Sequence, residues 1–324
     1  MSVRQLVVAS YARMRRDEVE PSPFDGEVER RNHTWALRLG LIDYKSSSRL
    51  ARIGCGSFAA HTYPAAPIEV IELGANLITW LFLFDDAYGE GGADVEESAM
   101  RARFDRLERL LRDGTMPPAP GPFARALADL RARLLARATD AWMQRFADSM
   151  ARYFDGCLLE LPYRRERRLP TRSEYRALRR WSVGGLPVFD LVELTLPAPL
   201  PDASARQLAE LRGRAAELCA WVNDIFSFDK EAGDDDPLNL VAVLMGEGKL
   251  SVRRAFDAAA SVYNDDLAAF TALHDRFVAR ADTSADERAY ARGLAAWVHG
   301  NHAWTQTSQR YAELNRMLAD GEKR

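Results

Sequence analysis

Apolar residues recur every three or four positions along nearly the whole chain, the spacing that gives a helix one buried face. The segments that carry this period lie near 27–42, 67–89, 96–112, 122–137, 140–161, 172–196, 203–231, 237–246, 250–281 and 285–319. Val, Ile and Thr seldom alternate with polar residues over strand lengths, whereas Ala, Leu, Arg and Glu, all sound helix formers, dominate. The pattern predicts an all-α fold. Breaks fall on turn chemistry at Gly89 to Gly92, in the proline-rich stretch Gly114 to Gly121, at Leu161 to Pro170, Pro197 to Asp202, Gly233 to Pro237 and Gly246 to Gly248. These linkers are short and no shift in composition divides the chain. Residues 1–324 therefore read as one domain: a bundle of about ten helices preceded by an irregular lead-in over 1–26 that is rich in proline from Glu20 to Phe24. The segments 67–89 and 212–228 are apolar nearly all round, as expected of helices walled in by others, and should line the centre.

Carboxylates on such helices matter, because a buried charge must be paired or must hold a metal. Asp85, Asp86 and Glu90 close the first apolar helix at its C-terminal end, where the helix dipole disfavours acids by about 0.3–1 kcal/mol each. A cation that used them would offset that cost. At 100° per residue Asp86 and Glu90 lie about 40° apart and Asp85 about 100° from Asp86, so a regular helix does not aim all three at one ion. Asp85 is the expected bridging ligand; Asp86 and Glu90 support it by pairing arginines or holding water. In the second apolar helix Asn223, Ser227 and Glu231 are spaced i, i+4, i+8 and form one stripe of amide oxygen, hydroxyl and carboxylate. Hard oxygen ligands with a single charge suit Mg²⁺, which keeps waters and takes its remaining ligands from a phosphate substrate.

The two elements, Asp-Asp-x-x-x-Glu at 85–90 and Asn-Asp-x-x-Ser-x-x-x-Glu at 223–231, begin 138 residues apart (223 − 85). Together they resemble those of class I terpene synthases of the bacterial type. Further matches are Tyr63-Pro64, Tyr175 followed by Arg179-Arg180, and Arg310-Tyr311 near the end of the last helix. The resemblance implies the class I terpenoid synthase fold, with a central apolar cavity and the two motifs facing each other across it. It further implies three Mg²⁺ ions that bind an isoprenyl diphosphate, with Asp85 bridging two of them and the 223–231 stripe holding the third. By the same resemblance an arginine upstream of the second motif senses the diphosphate. Arg179 is the first choice, with Arg180 and Arg176 as alternatives, and a helix break comes after it at Gly184-Gly185. Lys230, Arg310 and Tyr311 are the implied further diphosphate donors, and Leu81, Phe82, Gly184 and Trp304 the implied cavity wall, with the rings placed to stabilise carbocations.

Charge and cysteine content narrow the remaining classes. The formal charge of −3, from 44 basic and 47 acidic side chains, leaves no basic surplus for nucleic acid or an anionic membrane. Three separated cysteines argue against a disulfide scaffold or zinc cluster, and the apolar run in the first 16 residues is too short for a secretory or membrane segment, so a cytoplasmic location is expected. A chain-elongating prenyltransferase would carry a second aspartate-rich motif in place of 223–231, and a noncatalytic helical adaptor would tolerate loss of the ligands. The expected activity is ionisation and cyclisation of a linear isoprenyl diphosphate, C15 by default with C20 and C10 as alternatives, to a terpene hydrocarbon or alcohol. A homodimer is compatible with the sequence.

Overall fold

A computed structural model describes residues 2–15, 18–89, 96–233 and 238–311, and every regular element among them is helical. In chain order they are α1 (Val3–Tyr11), α2 (Asp25–Leu39), α3 (Ser47–Ile53), α4 (Cys55–Thr62) and α5 (Ile68–Phe84), the last running into a π-helical turn at Asp85–Gly89. Then come α6 (Glu97–Asp113), α7 (Pro122–Leu135), α8 (Asp140–Glu166), α9 (Arg172–Ser182) and α10 (Gly185–Asp190) with a 3₁₀ turn at Leu191–Thr195. The chain continues as α11 (Asp202–Gly233), α12 (Leu240–Gly248), α13 (Val252–Ala279) and α14 (Ala285–Thr307), closed by a 3₁₀ turn at Gln309–Tyr311. No helix among the described residues is long and apolar enough to cross a membrane.

The fold class expected from the sequence holds, and four differences concern elements. α8 runs through Pro162 to Glu166, past the break expected at Leu161. α14 ends at Thr307 rather than near 319 and leaves Arg310 and Tyr311 on a 3₁₀ turn. Two more lie nearer the N-terminus. Residues 1–26 are not wholly irregular: α1 starts on a reciprocal cap in which Ser2 Oγ accepts from Gln5 N and Ser2 N donates to Gln5 Oε1, and its Tyr11 is buried against Phe226. Residues 43–66 hold two short helices, α3 and α4, where no helix was expected. Seven and eight residues are too few to display a period. The segment 172–196 is divided at the break expected at Gly184-Gly185, because Gly184 sits at φ +70°, a left-handed conformation that interrupts the helix. The described chain thus has fourteen α-helices rather than about ten.

α5 is buried on almost every side, from Val70 through Trp80 to Phe84, with Trp80 and Phe84 stacked 4.4 Å apart. α11 is likewise enclosed from Ala215 to Phe228, packing on α9, α13 and α14. α4 fills the space between α2, α5 and α14, and α8 lies against α6 and α9. α5, α8, α9, α10, α11 and α14, with Phe58 of α4, leave a space between them at the centre of the bundle.

Candidate active site

That central cavity, with the open space at its mouth included, encloses about 800 Å³. Leu81, Phe82, Asp85, Arg179, Gly184, Asn223, Trp304 and Tyr311 all line it. Eight of the residues singled out in the sequence thus share one cavity. The rest of its wall is mainly apolar, with Phe58, Ile78, Val183, Val188 and Trp297.

Asp85 stands where α5 gives way to the π turn. Such widened turns are rare and occur often at functional sites. Its carboxylate is near enough to Tyr153 and Cys157 for its charge to add to the burial that raises both their pKa values. Asp86, next in sequence, accepts an ion pair from Arg49 of α3 at 2.9 Å. Tyr88 fixes the far end of the turn, its ring 4.9 Å from Phe84 and 5.5 Å from Phe123 with the Arg103 guanidinium 4.0 Å above it. Glu90 lies outside the described residues.

On α11 the stripe is held by a buried network. Arg179 donates from Nη2 to Asn223 Oδ1 at 2.8 Å and from Nε and Nη2 to Asp224 Oδ1 at 3.1 and 2.9 Å. Asp224 is fully buried, and its second oxygen accepts from the Tyr175 hydroxyl at 2.7 Å and from the backbone N–H of Leu240 at 3.0 Å. Burial raises the Asp224 pKa against the pull of Arg179 and Tyr175; burial opposes the charge on Arg179 too, but the carboxylate outweighs it and holds the guanidinium firmly protonated. Asn239, which caps α12 by accepting from Val241 N, donates to both the Asp224 carbonyl and Glu231 Oε2 at 2.7 Å. Arg176 and Arg180 turn away from this network and pair with Glu217, Arg176 also reaching Asp266 at 2.7 Å. Of the three candidate arginines, Arg179 alone lines the cavity.

The donor set fits a hard divalent cation. Burial pushes Glu231 up to about 7, with the Asp224 charge adding and Ser227, Asn239 and Arg179 opposing, so a cation beside it would relieve a carboxylate that is costly to ionise. The Ser227 hydroxyl is buried close by, with no hydrogen bond of adequate geometry among the described residues, and the Asn223 amide oxygen keeps a second lone pair beyond the one turned to Arg179. The stripe mixes residue types, and among the described residues no three His, Cys, Asp or Glu side chains converge on one point.

Near the last helix, the Arg310 guanidinium lies 5.1 Å over the Phe82 ring and 6.0 Å from that of Tyr311. Trp304 stacks on Phe58 at 4.1 Å and meets Tyr311 edge-on at 6.1 Å. Phe82 therefore also carries a cation of the protein, besides forming wall. Lys230 is on α11, but its side chain is outside the described residues. Sequence reasoning gave no role to Asp224 or Asn239. A polar residue after Pro237-Leu238 and before an apolar run is a helix-cap signal that points to Asn239, while nothing local shows its reach to Glu231.

Comparison with known proteins agrees with this geometry. Residues 76–269, which include both motifs' first residues, match the family described as "Terpene synthase family 2, C-terminal metal binding". The (+)-T-muurolol synthase of Roseiflexus castenholzii is 32% identical over 301 residues, 91% of this chain and 91% of that protein. The 10-epi-cubebol synthase of Sorangium cellulosum is 28% identical over 86% of this chain and 90% of its own. Among solved structures, a double mutant of SVS_A2, a protein from ancestral sequence reconstruction, superposes with a TM-score of 0.80 at 26% identity over 89% of this chain and 86% of that one. With a helical cavity, a metal-binding family match and relatives that are similar over nearly their whole length, the chain belongs to the bacterial class I terpene synthases and is a terpene cyclase, a carbon–oxygen lyase acting on a diphosphate.

Proposed function

We propose that this enzyme is a sesquiterpene cyclase that ionises C15 farnesyl diphosphate with the help of three Mg²⁺ ions and closes the resulting cation within the central cavity. The observation that carries the reading is Arg179. A cavity-lining guanidinium seated on Asn223 and Asp224 couples a diphosphate donor to the metal stripe through hydrogen bonds of 2.8–3.1 Å. The substrate length draws support from the muurolol synthase relative, whose name specifies (2E,6E)-farnesyl diphosphate.

Asp85, supported by Asp86 and Glu90, and the stripe Asn223, Ser227 and Glu231 would hold the metal ions. Bound there, Mg²⁺ neutralises diphosphate charge and so favours loss of the leaving group. Arg179, Arg310, Tyr311 and Lys230 are the protein's own hydrogen-bond donors to that group, which departs with the electron pair of the C1–O bond. Leu81, Gly184 and Trp304 then shape the folded hydrocarbon. Trp304 offers a π face to the cation without a nucleophile, and Phe82 supports Arg310 from below.

Incubation of the purified protein with Mg²⁺ and, separately, C10, C15 and C20 diphosphates, followed by solvent extraction and mass spectrometry, tests the proposal. A cyclic C15 product that depends on Mg²⁺ is expected. Cyclic products from the C20 substrate alone, or equal turnover in EDTA, would overturn it.

A further inference from the structure

Two polar groups in the cavity wall contrast with its apolar lining. Asn301 of α14 is 7% exposed, and its Nδ2 makes no hydrogen bond among the described residues; Ser182, the last residue of α9, is 5% exposed, and its hydroxyl is likewise without one. Both line the cavity. Asn301 is the middle residue of a stripe of α14. Trp297, Asn301 and Thr305 are spaced i, i+4, i+8, and all three line the space. Trp304 and Tyr311 lie toward one end of that stripe, while Trp297 lies toward the other, against Phe58, Tyr63 and Phe189. Thr305 donates its hydroxyl proton to the Asn301 carbonyl at 2.8 Å, so its oxygen is held on the same wall one turn away. An amide N–H and a hydroxyl oxygen at i, i+4 on one face are separated by a span that a single water can bridge.

We propose that Asn301, with Thr305, holds a water molecule inside the hydrocarbon cavity and that this water captures the terminal carbocation, so that the product is a terpene alcohol. The inference rests on the cyclase reading. A buried carboxamide donor among indole and phenyl rings requires a polar partner. The hydrocarbon substrate provides none, and the diphosphate is bound elsewhere in the cavity, by the metal ligands Asp85 and Asn223 and the donor Arg179. The water oxygen uses one lone pair to accept from Asn301 Nδ2 and the other to form a C–O bond to the cationic carbon. The oxonium ion then loses its proton to the diphosphate released in the first step, the strongest base in the closed site. The rings of Trp297 and Trp304 on either side hold the cation near that oxygen.

The test is turnover of farnesyl diphosphate with Mg²⁺ in H₂¹⁸O, with gas chromatography and mass spectrometry of the extract and a parallel assay of released diphosphate. The wild type is expected to give a labelled alcohol as a main product. In Asn301→Leu the alcohol share of total product should fall at least about tenfold in favour of hydrocarbons, a difference of about 1.4 kcal/mol between competing steps. Thr305→Val, matched in shape, should lower the same share. Because the readout is a ratio within the product, it is not moved by a loss of folded enzyme. Oxygen-free products from the wild type, or an unchanged labelled alcohol share in both variants, overturn the water site while leaving the cyclase reading intact. Failure of the wild type to release diphosphate from farnesyl diphosphate overturns the C15 cyclase reading and the water site with it.

Discussion

Replacing Asn239 separates two jobs that one side chain performs. Its oxygen caps α12 through Val241 N at 2.8 Å, and its amide nitrogen bonds the Asp224 carbonyl and Glu231 Oε2, each at 2.7 Å. Asn239→Ala removes all three. A hydrogen bond to a charged group contributes about 1.5–3 kcal/mol and one to a neutral group about 0.5–1.5 kcal/mol, and losing an N-cap costs roughly 1 kcal/mol, so a loss of about 3–5 kcal/mol in unfolding free energy is expected. Asn239→Ser retains a good cap but cannot span to Glu231, so it should be more stable than the alanine variant by about 1 kcal/mol. Both variants lose the donor that lowers the Glu231 pKa, leaving that buried acid less ionised at neutral pH and its carboxylate free to turn. Losing such a support to a ligand weakens metal binding by about 10- to 100-fold, and the two variants should share this loss. Urea denaturation measures the first effect, and diphosphate release across an Mg²⁺ titration measures the second. Wild-type Mg²⁺ dependence in Asn239→Ser would refute the argument, as would an Mg²⁺ requirement that differs between the variants in step with stability.

Three more outcomes are expected. Asp85→Asn and Asn223→Ala should each lower diphosphate release by at least about 100-fold with the fold intact by circular dichroism, and EDTA should abolish release. Arg179→Ala should cost about 3–5 kcal/mol in denaturant unfolding because it leaves the fully buried Asp224 without its guanidinium; Arg180→Ala should cost much less, since Glu217 keeps Arg176, and it should slow ionisation less than Arg179→Ala does. Trp304→Leu removes about 0.5–2 kcal/mol of cation–π stabilisation and should shift the product mixture toward acyclic or early-quenched terpenes, whereas Phe82→Leu, which takes the ring from under Arg310, should chiefly slow diphosphate release, as steady-state kinetics would report.

Much of the fold and the site was legible in the sequence because helical periodicity and i, i+4 spacing are local. The Asn223, Ser227, Glu231 stripe needs only one helix to be read. Choosing among Arg176, Arg179 and Arg180 is different, for all three are on α9 and their destinations depend on α11 and α13. Only the packing shows Glu217 taking the outer two and Asp224 the middle one. Asp224 and Asn239 were missed for the same reason, since a hub that ties α9, α11 and α12 together has no signature in any one of them. The short α3 and α4 escaped because fewer than three turns give no period, although α3 supplies Arg49 to Asp86 and α4 supplies Phe58 to the cavity.

The π turn at Asp85–Gly89 gives the first motif one residue of slack. Its two ends are pinned independently, Asp85 in the cavity wall and Tyr88 between Phe84, Phe123 and Arg103, and the widened turn takes up the surplus chain between them. Ala87 is exposed. Substitution there should be nearly silent. Deleting it would let the helix close to α geometry, in which four residues complete the turn that five make here, so the aspartate and the tyrosine would both stay near their seats. In a lineage of such enzymes this short segment would be permissive both to point mutation and to loss of one residue, unlike the interior of an unbroken helix, where a deletion turns everything after it by about 100°.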